Sequence, residues 1–259
     1  MATIAVTGST DGIGLAATRT LLARGHRVLV HARSEQRGRP VVAGLEADGF
    51  GGDVVLVTGD LASLASVRVL ADQLREHAPL DALVHNAGVW VRGDVPRRSQ
   101  DGLETTVAVN VVAPHLLTAL LADAVTGRLL WLGSGMARSG RLDPARLGDE
   151  DDPKRAYAQS KAGDVALAIG WGRRLPHLAS AAVDPGWVPT KLASPGAPGQ
   201  VQRAGDDLAW CAVDADLRAA PYWRDRRPTP VPPHLRDPGL HDALLAGCDR
   251  LARLGPAHP

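Results

Sequence analysis

The chain has 259 residues, of which 45% are hydrophobic, enough for one large α/β domain or two small ones with a sizeable core. Its formal net charge of +1 provides no electrostatic case for binding nucleic acid or an anionic membrane. No apolar run approaches the length of a membrane span, no basic and apolar leader precedes the first strand, and Cys211 and Cys248 lack metal-type spacing. We therefore expect a soluble protein of the reduced cytoplasm without a metal site.

The elements predicted from hydropathy patterns alternate between strand and helix along the chain. Short apolar runs predict six strands, over 2–7, 26–32, 53–58, 81–85, 128–132 and 179–183. Apolar residues at helical spacing predict the helices, over 15–23, 41–47, 64–76, 102–125, 153–175, 204–213 and 239–254. The chain shows no repeat and no linker. This order predicts a single α/β domain over 1–259, a Rossmann-like doubly wound parallel sheet with helices on both faces.

A glycine-rich turn follows the first predicted strand and opens the first helix. Its candidate cofactor contacts are Gly8, Ser9, Thr10, Asp11, Gly12, Ile13 and Gly14. Glycines let the main chain turn tightly and approach a pyrophosphate, which then lies over the N-terminus of the helix. The spacing is Gly-x-x-x-Gly-x-Gly, and a plain turn would also use glycines. The strand–turn–helix context nevertheless favours dinucleotide binding.

The end of the second predicted strand indicates which dinucleotide binds. A site for NAD has a carboxylate there that accepts hydrogen bonds from the ribose hydroxyls, but this chain has Ala32 followed by Arg33 and Ser34. The planar guanidinium of an arginine suits the extra phosphate of NADP. Arg33 is also the kind of cation found on any surface. Because the acid is missing, we expect NADP(H).

Two further strand ends carry candidate cofactor contacts. Asp60, followed by Leu61, comes after the third predicted strand, where it would contact the adenine or cap the next helix. The fourth strand opens into Asn86, Ala87 and Gly88, small residues that let the main chain run close to a ligand or turn tightly. Both stretches are candidates because the carboxyl ends of parallel strands border the ligand crevice.

Ser134 and Asn110 are candidates of a different kind. Ser134 ends the fifth predicted strand, so it faces the ligand crevice or serves only as a cap. Asn110 lies in apolar company within the long predicted helix. A buried asparagine needs partners, so it is a structural tie or part of a site, and its surroundings by themselves favour the tie.

Tyr157 and Lys161 stand four residues apart in a predicted helix, which brings them onto one face. A phenol titrates near ~10 and is a poor proton donor or acceptor at neutral pH. A cation beside it favours the phenolate, a pairing that suits proton transfer to or from the oxygen of a carbonyl/alcohol couple. Two ordinary surface residues would show the same spacing, so the rest of the chain decides between the two interpretations.

The stretch after the sixth predicted strand is expected to border the substrate. A loop rich in Gly and Pro, over 194–199, lies within a predicted substrate loop of about 187–215, a usual place for a mobile lid. The tail from about 220 to 259 reads as structural. Trp90 and Trp187 both follow strand ends, where they would wall a pocket for a flat polycyclic substrate or pack under loops.

Taken together, these stretches resemble the short-chain dehydrogenase/reductase family over nearly the whole chain. The matching pieces are 7–14, Asp60-Leu61, Asn86-Ala87-Gly88, Asn110, Ser134, Tyr157-x-x-x-Lys161 and Pro185-Gly186. The resemblance implies that Tyr157 is the general acid/base, that Ser134 hydrogen-bonds the substrate oxygen, and that Lys161 favours the ionised phenol and holds the nicotinamide ribose. It further implies that Asn110 anchors a water-mediated proton relay, and that the cofactor contacts include Pro185, Gly186 and Val188.

Within the family, several features resemble the retinol-dehydrogenase-like branch: residues 101–106, the long interval from Ser134 to Tyr157, and the tail from Tyr222. The expected NADP preference agrees with that branch. One departure is His85, where many members have asparagine. The arginine-rich composition and the overall match also resemble actinobacterial reductases of aromatic polyketide pathways, such as the ketoreductase of daunorubicin biosynthesis that reduces the acetyl side chain.

The sequence therefore predicts an NADPH-dependent carbonyl reductase (a ketoreductase) that transfers hydride to a small-molecule ketone or aldehyde. The narrowest substrate candidate is the acetyl side-chain ketone of an anthracycline such as daunorubicin. One alternative is an NADP-dependent dehydrogenase of secondary alcohols. Another is a non-catalytic dinucleotide-sensing regulator, against which the intact set of candidate catalytic residues argues. Monomer and homodimer stay open, with pairing in the family often made through the two long helices, here 102–125 and 153–175.

Overall fold

The computed structural model describes residues 1–92, 98–192 and 196–255. The strands in these ranges form one sheet in the order β3-β2-β1-β4-β5-β6-β7-β8. They are β1 Thr3–Val6, β2 Arg27–Ala32, β3 Val54–Thr58, β4 Leu80–His85, β5 Val125–Leu132, β6 Ala179–Asp184, β7 Tyr222–Arg224 and β8 Arg227–Pro228. Neighbouring strands are parallel, except that β8 is antiparallel to β7. The predicted Rossmann-like architecture is confirmed.

The helices cover both faces of the sheet. They are α1 Gly12–Ala23, α2 Glu35–Ala47, α3 Leu64–Arg75, α4 Thr105–Val107, α5 Ala113–Leu120, α6 Pro153–Arg174, α7 Val201–Val213 and α8 Pro238–Leu251, with a π-helical turn, Ala108–Val112, between α4 and α5. Side chains alternate between the faces: Leu29 packs with α3, α5, α6 and α8, whereas Val28 and Val30 pack with α1 and α7. No helix within the described residues is both long and apolar enough to cross a bilayer.

The order of the strands determines where a ligand crevice lies. From β1 the chain proceeds to β2 and β3 on one side of the sheet and then crosses to β4, β5 and β6 on the other. In such sheets the crevice opens at the carboxyl ends of the strands, where the order reverses. The stretches that follow β1, β4, β5 and β6 therefore meet at one edge.

The single helix predicted over 102–125 is wrong in its bounds and in its continuity. Helix α4 begins only after Glu104, whose carboxylate accepts a hydrogen bond from Val107 N at 2.8 Å. A π turn then interrupts the α-helical pattern, α5 ends at Leu120, and Val125 already begins β5. Hydropathy could not separate these elements, because the end of α5 and the doubly buried strand β5 form one nearly continuous apolar stretch.

Helix α2 begins at Glu35, six residues before its predicted start. Gly38 and Pro40 read as helix breakers, but both fit. A β-carbon at Gly38 would lie 2.3 Å from Leu56 Cδ1, so glycine is required for close packing on β3. Pro40 holds a helical φ, and the carbonyl of Gln36 that it cannot bond belongs to an exposed residue and can bond to water.

The region after β6 is more ordered than predicted. The tail contributes two strands that were missed, since β7 pairs in parallel with β6 but has only three residues, too few for a periodic signal. Helix α7 packs against α1, where a β-carbon at Gly205 would lie 2.4 Å from Ala16 Cβ. Residues 201–213 are thus part of the core, and a lid would be confined to the residues before them; 193–195 of the predicted loop lie outside the described residues.

Helix α8 covers the outer side of the two helices expected to form a dimer contact. His115 of α5 lies 2.8 Å from Asp249 of α8, and Gly170 of α6 faces Leu245 of α8. These contacts bury part of α5 and α6 within the chain itself.

Candidate active site

The glycine turn is fastened to the end of β4 by direct packing. Gly8 has a φ of +65°, and a β-carbon there would lie 2.8 Å from Ala87 Cα. Asn86 Nδ2 donates to Thr7 O at 2.8 Å and to Gly8 O at 3.1 Å. A β-carbon at Gly14 would lie 2.4 Å from that same nitrogen. The turn therefore requires glycines at both positions for close approach, whether or not a ligand is bound.

His31 supports the glycine turn from below and was not foreseen. Gly8 N donates to His31 Nδ1 at 2.9 Å, so Nδ1 is the acceptor and Nε2 carries the proton that it donates to Gly59 O at 2.8 Å. Burial lowers the pKa of His31, in keeping with a neutral ring. The sequence feature that could have predicted this role is a histidine inside an apolar strand, next to the end of that strand.

The predicted adenine end lies on the surface between β2 and α2. Arg33 and Ser34 are exposed, and Ser34 occupies the N-cap position of α2 without a side-chain cap bond. Arg37, one turn into α2, is also exposed, and its charge lowers the pKa of Asp11 in the glycine turn after the larger effect of a hydrogen bond from Lys191. Neither Arg33 nor Arg37 forms an ion pair with another described residue.

The two residues predicted to follow β3 differ in exposure and partners. Asp60 Oδ1 accepts from Ala62 N at 3.0 Å, and Asp60 N donates to Ser66 Oγ at 2.7 Å. Asp60 thus organises the turn before α3, but the cap weighed from sequence is Ser63, whose side chain accepts from Ser66 N. The other carboxylate oxygen of Asp60 forms no hydrogen bond with a described residue. Leu61 is buried against the core.

Asn110 acts as a tie between three segments. Its Oδ1 accepts from Val89 N at 2.8 Å, and its Nδ2 donates to Val89 O and to Ser160 Oγ, each at 3.0 Å. It lies in the π turn, a feature that often marks functional sites. Because the amide nitrogen is fully used, the geometry supports the structural role favoured from sequence, and the proton relay stays a prediction.

Ser134, Tyr157 and Lys161 line one cavity of about 440 Å³ at the carboxyl edge of the sheet, whereas the fourth candidate, Asn110, is not among its lining residues. Its lining includes the predicted residues Ile13, Asn86, Gly88, Trp90, Ser134, Tyr157, Lys161, Pro185, Gly186, Trp187 and Val188. Ser134 follows β5 and accepts from Met136 N at 3.2 Å, capping a short 3₁₀ turn. Tyr157 and Lys161 project from α6 on the same side, with Lys161 Nζ 5.8 Å from the centre of the phenol ring. No group of metal-binding side chains is found among the described residues.

Trp90 stacks on the candidate acid. The Trp90 and Tyr157 rings are 4.8 Å apart at 12°, and the Arg92 guanidinium lies over the Trp90 ring at 4.4 Å. Arg92 also donates to the carbonyl of Leu192. Trp90 therefore limits how Tyr157 can move and links it to the segment after β6.

The segment after β6 also reaches the glycine turn. Lys191 forms an ion pair with Asp11, and Thr190 lies within van der Waals reach of a β-carbon at Gly12. Trp187, in the same segment, is 53% exposed at the cavity mouth. The arrangement leaves an indole free for contact with a substrate.

Lys161 is paired with an acid that sequence reasoning missed. Its Nζ donates to Leu132 O at 2.8 Å and to Asp164 Oδ2 at 2.7 Å, and both charged side chains are 5% exposed. Burial lowers the pKa of Lys161, but the charges of Asp164 and Tyr157 outweigh it, so the pKa stands above its ordinary value. The sequence did indicate this contact, because Asp164 lies three residues after Lys161 and seven after Tyr157, on the same face of the helix.

Comparison with known proteins identifies relatives that match most of this chain. The family model of short chain dehydrogenases matches residues 2–196. A protein of Streptomyces sp. (strain C5), provisionally named daunorubicin C-13 ketoreductase DnrU, is 32% identical over 92% of this chain and 88% of its own length. Dehydrogenase/reductase SDR family member 13 of Bos taurus is 32% identical over 98% of this chain and 74% of its own.

Solved structures agree in fold. A short chain dehydrogenase from Burkholderia cenocepacia J2315, crystallised in complex with NADP, has a TM-score of 0.65 and 26% identity, covering 81% of this chain and 89% of that one. The family match extends over strands β1 to β6, the glycine turn and the helix that carries Tyr157 and Lys161. The chain belongs to the short-chain dehydrogenase/reductase family.

Proposed function

We propose that the chain is an NADPH-dependent carbonyl reductase acting on a ketone or aldehyde. The observation that carries the proposal is the shared cavity, which brings Tyr157, Ser134 and Lys161 together with the small residues that follow β4 and β6. An acid, a hydrogen-bond donor and a cation around one opening are what reduction of a carbonyl oxygen requires. A mere dinucleotide sensor would not need them.

The chain fits a dinucleotide at this edge. The close approach at Gly8 and the N-terminus of α1, where Asp11 Oδ1 accepts from Gly12 N at 2.8 Å, would receive the pyrophosphate. Arg33 and Ser34, with Arg37 beside them, would hold the ribose phosphate that distinguishes NADP from NAD, and Asp60 and Leu61 would border the adenine. The Burkholderia cenocepacia relative, crystallised with NADP, supports this assignment.

When bound, the reduced cofactor supplies the hydride. The side chains of this protein would do the rest: Ser134 and Tyr157 donate hydrogen bonds to the carbonyl oxygen, and Tyr157 delivers its proton there as the alkoxide forms. Lys161 Nζ, 5.8 Å from the centre of the phenol ring, would stabilise negative charge on the phenol. Trp90 holds the phenol ring in place through their stacking contact.

We further propose that the substrate is flat and aromatic. Trp90 walls the inner cavity and Trp187 stands at its mouth. A cavity of about 440 Å³ must also hold the nicotinamide, so a tetracyclic substrate would extend past Trp187 into solvent. The anthracycline acetyl ketone is the narrowest candidate, supported by the similarity to the Streptomyces protein. The proposal also includes that the chain reduces ketones, works in the cytoplasm and forms a single domain over 1–259.

The test is the loss of NADPH absorbance, with NADH in parallel, against a panel of carbonyls. The panel runs from small aldehydes to a tetracyclic anthracycline with an acetyl side chain. We expect turnover with NADPH well above that with NADH, and faster reduction of the tetracycle. Turnover of small carbonyls alone would remove the aromatic substrate, and no turnover of any carbonyl despite NADPH binding would overturn the reductase.

A further inference from the structure

Tyr157, Lys161 and Asp164 follow one another on one face of α6, at spacings of four and three residues. Lys161 stands between the other two. Its ammonium group contacts Asp164 at 2.7 Å and lies 5.8 Å from the centre of the Tyr157 ring. The acid is therefore in contact with the cation that the proposed reaction uses.

Neither member of this pair would be stable alone at such depth. A buried ammonium without a partner tends to lose its proton, and a buried carboxylate tends to gain one. Burial raises the pKa of Asp164, and the charge and hydrogen bond of Lys161 oppose the rise. The Leu132 carbonyl occupies a second donor of the ammonium group, so the position of Lys161 is defined by two acceptors.

We propose that Asp164 is a positioning residue that holds Lys161 in place and cancels part of the positive charge that Tyr157 senses. This inference rests on the proposed reductase function, in which Tyr157 is the acid. A lone ammonium would strongly favour the phenolate, whereas a paired one favours it less. The protonated phenol is the form that a reductase uses as its acid.

Other groups around the pair do not take over this role. The charged side chains that also line the cavity are Asp184, Arg224 and Lys154. Asp184 accepts from Gly186 N at 2.9 Å and lies 3.5 Å from Arg224, so its charge is already paired. From the π turn and β5, Asn110 and the carbonyl of Leu132 face the pair, and neither titrates. Asp164 and Tyr157 are the two groups whose charges raise the pKa of Lys161.

The chain allows a direct measurement, because it contains only two tyrosines. Burial first, and then Asp184, raise the pKa of Tyr222. The tyrosinate absorbance transition to follow is the one that is lost in Tyr157→Phe. The full chain is titrated without cofactor or carbonyl as wild type, Asp164→Asn and the double variant Lys161→Met/Asp164→Asn.

We expect Asp164→Asn to lower the midpoint of this transition by about one pH unit, because the amide oxygen and the Leu132 carbonyl still accept from the ammonium group, whose full charge then acts on the phenol. The double variant, which removes both charges, should titrate above wild type. In turnover assays, the falling limb of the pH profile for ketone reduction should move down with the Asp164→Asn midpoint. Asp249→Asn, which alters the remote buried pair with His115, serves as the matched control and should leave the midpoint unchanged.

An unchanged or raised midpoint in folded Asp164→Asn would overturn the inference, because a merely structural acid would change stability only. Should that variant fail to fold, Asp164→Ser, which also removes the charge, must lower the midpoint, and a midpoint equal to that of wild type would refute the role. The titration needs no turnover. An enzyme inactive on every carbonyl would count against the proposed function and leave this result standing.

Discussion

Replacing Gly14 with alanine tests whether close packing of α1 against the end of β4 shapes the glycine turn. The new β-carbon would lie 2.4 Å from Asn86 Nδ2 and 2.6 Å from Gly8 O. Neither atom is free to move, because Nδ2 donates to Thr7 O and Gly8 O, and Gly8 O is itself main chain. The substitution must either rotate Asn86 or displace α1 from the turn.

Either route has a similar cost. Rotating Asn86 gives up two hydrogen bonds, each worth about 0.5–1.5 kcal/mol, and displacing α1 is an overpacking cost of about 1–3 kcal/mol. Alanine has the higher helix propensity, which returns about 1 kcal/mol. We therefore expect the free energy of unfolding to fall by about 0–2 kcal/mol. Since the turn would receive the pyrophosphate, NADPH affinity should fall about tenfold.

Urea unfolding followed by circular dichroism, together with NADPH titration by fluorescence, measures both effects. Gly44→Ala is the matched control: Gly44 lies in exposed α2 and a β-carbon there would meet no atom within 4 Å. That variant should gain about 0.5–1 kcal/mol from propensity alone and bind NADPH as wild type does. If Gly14→Ala were stabilised to the same degree as Gly44→Ala, the packing argument would be refuted.

Three further outcomes are expected. Tyr157→Phe should leave NADPH binding within about threefold while turnover falls ~10²–10⁴-fold, the usual contribution of acid catalysis; near-normal turnover in a steady-state assay would exclude Tyr157 as the acid. Trp187→Ala should weaken binding of tetracyclic ketones more than that of small ones, and equal KM changes for both would rule out the aromatic wall. Burial lowers the pKa of His85 from 6.5 to about 3, so between these two pH values the unfolded chain binds a proton that the folded chain does not. The free energy of unfolding therefore decreases as the pH is lowered through that window. At pH 5 the decrease is about 2 kcal/mol. The variant His85→Gln, whose amide can still bond Thr118, should therefore lose less stability than wild type between pH 7 and 5 in urea melts. An equal loss in both proteins would contradict the assignment of this effect to His85.

Local spacing was enough to propose Tyr157 and Lys161 as candidates for the site. A helix repeats every 3.6 residues, so Tyr157 and Lys161 share a face whatever surrounds them. Strands that are buried on both faces and end in small or polar residues predict a parallel sheet and its ligand edge, which is how Ser134 and Asn86 could be proposed. The family and fold predictions that rest on these stretches are confirmed.

Contacts between distant parts of the chain were decided by the tertiary structure. Trp90 meets Tyr157 across 67 positions (157 − 90), and Lys191 meets Asp11 across 180 (191 − 11), separations at which no periodic pattern carries information. The π turn at Asn110 and the three-residue strand β7 are too short to leave a pattern.

Asp164 shows the same limit within a single helix. Its spacing from Lys161 was visible in the sequence, but a surface pair at i and i+3 contributes little. Only the packing of α6 against the sheet excludes water from both charges. Local geometry thus decides which side chains can meet, whereas burial decides how strongly their charges act on one another.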